Sequence, residues 1–309
     1  MTDWTKTNAS DQWDQIHKVH FTDDALGDLS NFKSNSLNHK LAIWNPNTNG
    51  VRYLKELIFN LCYNLSSAEW KLLENIKGRE VGKPYSVIFN GHHVCLDYLQ
   101  AVLEINAITP YLSLDETNVL EIGAGYGRTC HAILSNYRLS SYTIVDLKKS
   151  LALSMAYLKE VLPIDRFNSI QFVTAEDLKC LVGENYTLAL NIDSFSEMPE
   201  QTVYTYLRFI RMHCHWCYIK NPVGKYIDPS LDRHSEGIEA VGLALSSGIL
   251  RDTIDIHNNQ AVKRQSIKFL STYSPGKEWE LISDSWARPW SYYWQAIYRK
   301  IGFNHAKCQ

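Results

Sequence analysis

Apolar side chains along this chain follow two different periods. Up to about residue 110 they recur every three or four positions. "VRYLKELIFNLCYNL" (51–65) and "SSAEWKLLENI" (66–76) predict two amphipathic helices, and a turn-rich "GREVGKPYSVIFNGHH" (78–93) precedes a third that carries Val94, Tyr98, Ala101 and Ile105 on its apolar face. From residue 118 short apolar runs alternate with helical patterns. "NVLEIG" predicts a strand and "GRTCHAILSNY" a helix; "SYTIVDL" predicts a strand and "SLALSMAYLKEVL" a helix with Leu151, Met155, Leu158 and Leu162 on one side. The apolar runs of "SIQFVTAEDL" and "YTLALNIDSF", a helix from Pro199 with Val203, Leu207 and Ile210 inward, and "HWCYIKN" continue the series. Strands alternating with helices of this length predict an α/β fold, a parallel sheet covered by helices on both faces. The expected division is a mostly helical extension, 1–110, ahead of an α/β domain, 111–309. After Pro222 the pattern is dense in aromatics, and "LISDSW" and "YYWQAIYRKIGF" suggest closing strands or a helix.

Composition narrows the classes. A chain of 309 residues, 45% hydrophobic, can bury a large core. Its 31 basic and 33 acidic residues form no basic run, which argues against nucleic acid as a partner. The N-terminal residues lack a signal-peptide pattern, and "AVGLALSSGIL" is too short to span a bilayer, so a cytoplasmic protein without membrane insertion is expected. Seven scattered cysteines do not form a disulfide framework. Cys214 and Cys217, beside His213 and His215, have no second cluster of zinc-ligand spacing, so buried strand thiols are expected there.

The chemistry concentrates after the first strand, where Gly123, Ala124, Gly125, Tyr126 and Gly127 form a G-x-G-x-G turn. Bare backbone at the carboxyl end of a parallel sheet lets a ligand approach closely. The spacing is not the G-x-G-x-x-G of dinucleotide sites, and Glu121 stands two residues before the first glycine. A carboxylate there is unfavourable for pyrophosphate and favourable for a cationic amino-acid end. Asp146 closes the second strand, twenty-three positions beyond Gly123, where a carboxylate can accept both hydroxyls of a ribose. Glu176 or Asp177, after the third strand, could meet an adenine amino group. Together these describe S-adenosylmethionine, with Glu121, Gly123, Ala124, Gly125, Gly127, Asp146, Leu147, Glu176, Asn191 and Ile192 as candidate contacts.

"VLEIGAGYGR", "YTIVDLKKSLALSMAYL" and "NIDSFSEMPEQTVYTYLRFI", followed by "YIKNPVGK", resemble the bacterial sugar O-methyltransferase family within the Rossmann-like class I S-adenosylmethionine-dependent methyltransferases. The resemblance covers roughly residues 80 to 225. It implies methyl transfer to a hydroxyl of a nucleotide sugar or glycan in surface polysaccharide biosynthesis. N-methylation of a small polar amine and an inactive cofactor-binding partner subunit stay open beside it, as does a homodimer.

A sulfonium methyl is already electrophilic, so the protein has to align the acceptor and remove its proton. Glu197, after the fourth strand, is the first candidate base; its other reading is an acid complementing the following helix dipole. His93 is the second candidate. Tyr126, His92, Asp193, Ser194 and Asn221 are candidate acceptor contacts. Asp193, Glu197 and Asn221 are all oxygen ligands, but their spacing gives no support to a metal, and none is expected.

Overall fold

The computed structural model describes residues 49–226 and 238–302. Residues 1–48 of the expected extension, and Cys308, lie outside them. The chain divides into two compact units, Met1–Phe59 and Asn60–Gln309. Helix α1, Gly50–Tyr63, crosses that division. Everything that follows belongs to the second unit.

Helix α2, Ser67–Asn75, starts at a reciprocal cap in which Ser66 Oγ accepts from the Glu69 N–H and the Glu69 carboxylate accepts from the Ser66 N–H. The turn-rich stretch after it folds as a hairpin of β1, Ser86–Phe89, and β2, His92–Cys95. Asn90 and Gly91 form its corner with φ of 49° and 80°. Positive φ at two successive residues is what a type I′ hairpin turn requires, and Asn-Gly supplies it. Helix α3, Leu96–Ile108, therefore begins later than its apolar spacing suggests, and Val94 lies on β2.

The main sheet has seven strands: β3, Asn118–Ile122; β4, Ser141–Asp146; β5, Ile170–Thr174; β6, Tyr186–Ile192; β7, Cys214–Pro222; β8, Trp279–Trp286; and β9, Tyr293–Lys300. Their spatial order is β5-β4-β3-β6-β7-β9-β8. Strands β3 to β7 run parallel. Strand β9 is antiparallel to both β7 and β8. Counted from β3, this is the order 3-2-1-4-5-7-6 of the Rossmann-like class I methyltransferase fold. The tail after Pro222, left between strand and helix by its sequence, thus closes the sheet with two strands.

The intervening helices are α4, Arg128–Asn136; α5, Lys148–Val161; the short α6, Ile164–Phe167; α7, Glu200–His213; α8, Ile238–Ser246; and α9, Asn259–Tyr273. Successive strand side chains point to opposite faces, so two sets of residues are buried. Leu120, Ile122, Ala189, Cys217 and Ile219 form one core with Val203 and Leu207 of α7 and Val262 and Phe269 of α9. The alternate residues of β7 include Tyr218 and Lys220, and Lys220 is joined there to Gln100 and Glu104 of α3. Cys214 and Cys217 are buried residues of β7.

Candidate active site

The chain order reverses on the two sides of β3, with β4 on one side and β6 on the other. In open α/β sheets a crevice forms at such a switch point beyond the carboxyl ends of the strands. Here it is a cavity of about 660 Å³. Nine of the expected residues line it: Gly123, Ala124, Gly125, Asp146, Leu147, Ile192, Asp193, Ser194 and Glu197.

The three glycines of the loop serve three purposes. All have positive φ: 76° at Gly123, 59° at Gly125 and 92° at Gly127. A Cβ on Gly123 would fall on the Ser194 side chain. Ser194 Oγ in turn donates to Ile122 O at 3.1 Å. A Cβ on Gly127 would lie 2.8 Å from Leu158 Cδ1, where α5 packs against the start of α4. Only Gly125 faces open space, with nothing within 4 Å. The bare backbone expected to face a ligand at both Gly123 and Gly125 is open at Gly125; at Gly123 it accommodates a neighbouring loop.

Asp146 ties this loop to the end of β4. Its Oδ2 accepts from the Gly125 N–H at 3.0 Å and its Oδ1 from the Leu147 N–H at 2.7 Å. Each carboxylate oxygen can accept a further hydrogen bond. Leu147 is 68% exposed beside it, an apolar surface at the cavity edge.

Several expected residues are placed elsewhere. Glu121, expected beside a cationic group, does not line the cavity. As a residue of β3 it alternates with Leu120 and Ile122, so its side chain goes to the opposite face, is 2% exposed and accepts from Tyr142 Oη at 2.8 Å. Burial pushes its pKa up to about 7, against the opposing effects of the Tyr142 hydrogen bond and the Arg128 charge. Asn191 and Asn221, expected to touch ligands, are fully buried and bind each other: Asn221 Nδ2 donates to Asn191 Oδ1 at 2.9 Å. Asn191 also donates to Ile122 O and Ser194 Oγ, and Asn221 Oδ1 accepts from the Ser196 N–H. The pair fixes the ends of β3, β6 and β7 and the loop after β6.

Tyr126, expected at the acceptor, donates instead to Asp97 Oδ2 at 2.9 Å. Glu176 is exposed in a short 3-10 helix, Ala175–Leu181, of which Ala175 reaches the cavity. His92 lies 3.6 Å from Glu74 and against Trp70. His93 lines a separate cavity with Arg79 and Lys83. Both histidines were expected near the acceptor, but the β1–β2 hairpin holds them apart from the main cavity.

On the other side of the crevice, Asp193 has φ 71° at the end of β6 and accepts from Tyr293 Oη at 2.6 Å. Glu197 stands one turn further, exposed to solvent. Its pKa is raised, first by partial desolvation and then by the charge of Asp193, with Lys225 opposing both. Lys225 donates to Ser196 O at 2.9 Å, which keeps its charge near this loop.

A charged cluster in the cavity wall was missed in the sequence. Lys220 of β7 donates to Glu104 Oε1 at 2.7 Å and Gln100 Oε1 at 3.1 Å. Arg128, the first residue of α4, donates to Glu104 at 3.0 Å and to Asp97 O at 2.9 Å. The signal available was a lysine inside the apolar strand "HWCYIKN" and a glutamate inside the apolar helix "YLQAVLEINAI", since unpaired charges do not stay buried.

No family model matches the chain, and no curated protein does. Among solved structures, a Thermoplasma acidophilum protein, 1320, is 10% identical over 77% of this chain and 100% of its own, with a TM-score of 0.44. An O-methyltransferase family 2 protein from Planctomyces limnophilus, solved with apigenin, is 8% identical over 76% of this chain and 62% of its own, at 0.44. The pyocyanin biosynthetic protein PhzM is 12% identical over 82% of this chain and 66% of its own, at 0.43. With every one of these TM-scores below 0.5, the function has to be argued from the cavity's own residues.

Proposed function

We propose that the chain is an S-adenosylmethionine-dependent methyltransferase that methylates a hydroxyl of a sugar, carried on a nucleotide or a glycan destined for a surface polysaccharide. The observation that carries this reading is the switch-point cavity itself. It joins a glycine loop with one open position, Gly125, to a carboxylate at the end of the next strand, Asp146, in a sheet of 3-2-1-4-5-7-6 order.

The residues present fit the cofactor. The cavity's volume of about 660 Å³ is in the usual range for small-molecule sites. Asp146 has acceptor capacity left for two ribose hydroxyls, and Leu147 with Ala175 offers apolar surface for a base. The bound cofactor would supply an electrophilic methyl group. What remains for the protein is to hold an acceptor oxygen in line and receive its proton. Glu197 is the residue for that proton: it lines the cavity, and its raised pKa makes it a stronger base than an ordinary carboxylate. Its exposure lets the proton pass on to solvent.

Calorimetry with S-adenosylhomocysteine, followed by transfer from labelled S-adenosylmethionine to a panel of sugars, nucleotide sugars and amines, tests the reading. Binding, and label on a sugar hydroxyl, is the expected result. Absence of binding, or NAD bound as tightly as S-adenosylhomocysteine, would overturn it; label on amines alone would move the acceptor class.

A further inference from the structure

We propose that Lys220 and Arg128, held by Glu104, form a carboxylate-binding subsite in the cavity wall. The inference rests on the proposed cofactor reading for one of the two ligands considered below.

Two cations share the single carboxylate of Glu104, and the side chains of Lys220 and Glu104 are only 3% and 2% exposed. Lys220 and Arg128 both line the cavity. Two other acids of the lining accept from hydroxyls, Asp97 from Tyr126 and Asp193 from Tyr293, and among the described residues neither carboxylate is hydrogen-bonded to Lys220 or Arg128. Hydrogen bonds are also left over. An ammonium has three N–H groups, and among the described residues Lys220 finds two acceptors, Gln100 and Glu104. A guanidinium has five, and among the described residues Arg128 is bonded to Asp97 O and the Glu104 carboxylate. A pair of cations with unused donors beside a cavity is matched by a group that brings its own acceptors, and a planar carboxylate presents two.

Glu104 comes from α3, Arg128 from α4 and Lys220 from β7, so three elements fix the donors before a ligand arrives. Gln100 extends the chain of contacts by accepting from Trp290 Nε1 at 3.1 Å. A preformed set of donors loses little freedom on binding. The carboxylate has two chemical sources in this cavity: the amino-acid end of the cofactor, or an acidic acceptor such as a hexuronate.

Lys220→Gln tests this, because an amide keeps a donor for Glu104 and removes the charge. Thermal melting checks that the variant is folded. If it is not, the double variant Lys220→Met/Glu104→Gln leaves no buried carboxylate unpaired and is used in its place. Calorimetry then compares S-adenosylhomocysteine with 5′-methylthioadenosine, which lacks the amino-acid end, and, with S-adenosylhomocysteine saturating, glucuronate with glucose. Loss of a charged hydrogen bond predicts a weakening of about tenfold or more. A loss for S-adenosylhomocysteine with 5′-methylthioadenosine unchanged assigns the subsite to the cofactor's carboxylate. A loss confined to glucuronate assigns it to the acceptor. A folded variant that binds S-adenosylhomocysteine and glucuronate as the wild type does overturns the subsite while leaving the cofactor reading intact. A wild-type protein that fails to bind S-adenosylhomocysteine and glucuronate alike removes both.

Discussion

Glu121 is an ionisable group at the centre of a sheet, and replacing it should stabilise the protein in a pH-dependent way. The carboxyl is 2% exposed, and its pKa stands at about 7 against an ordinary value of 4.5. Because the folded-state pKa lies above the unfolded one, the folded chain holds the proton more tightly between these values. Stability from this group is then fully present below pH 4.5 and declines as pH rises to about 7, above which it is constant. A shift of roughly 2.5 units at 1.36 kcal/mol per unit puts the loss at about 3 kcal/mol. Glu121→Gln cannot ionise and retains an acceptor for Tyr142 Oη. The test is urea denaturation of both proteins from pH 4.5 to 8. The difference in unfolding free energy should move in favour of the variant by about 3 kcal/mol across that range, since all other titrating groups are common to both. Parallel pH curves would refute the argument, and so would a difference growing in the opposite direction.

Three further outcomes follow from the cavity. Gly123→Ala and Gly125→Ala share the cost of a positive φ, but Gly123→Ala adds about 1–3 kcal/mol of overpacking against Ser194 and should melt lower, whereas Gly125→Ala should fold and weaken S-adenosylhomocysteine binding; equal melting losses in the two would contradict the division of roles. Asp146→Ala should weaken S-adenosylhomocysteine at least tenfold by calorimetry, as loss of charged hydrogen bonds to a ribose predicts, and an unchanged affinity would remove Asp146 from the site. Glu197→Gln should lower kcat by about 10²–10⁴ with cofactor affinity preserved, and the wild-type rate should rise with pH through the raised Glu197 pKa as the carboxylate forms; full kcat in the variant would retire the proton-accepting role.

The parts of the fold written in local patterns were legible. The change from helical spacing to short apolar runs at residue 118 marks the start of the sheet, and the G-x-G-x-G turn with Asp146 locates one wall of the cavity. Direction and distance were harder. Glu121 is next to the loop in sequence, yet strand alternation turns it to the other face, so proximity along the chain misled. Asn191 and Asn221 sit at the ends of strands where ligands bind, but each finds its partner thirty residues away in the other. The Glu104–Lys220 contact spans 116 positions and exists only because α3 packs over β7, which no short window of sequence contains. The β1–β2 hairpin carries its own turn signal in Asn90-Gly91, and reading it would have withdrawn His93 from the acceptor site.

The position of β9 sets an order in which the molecule can be completed. Strand β9 inserts between β7 and β8 and supplies Tyr293, which holds Asp193 in the cavity wall. A nascent chain released up to β8 therefore has β7 as an open edge, its backbone N–H and C=O groups unpaired on the side that β9 will cover. Seven of the nine residues of β7 pair with β9, so the edge is sealed only when residues 293–299 emerge. Synthesis that pauses before this point exposes an adhesive strand and leaves the switch-point cavity without Tyr293.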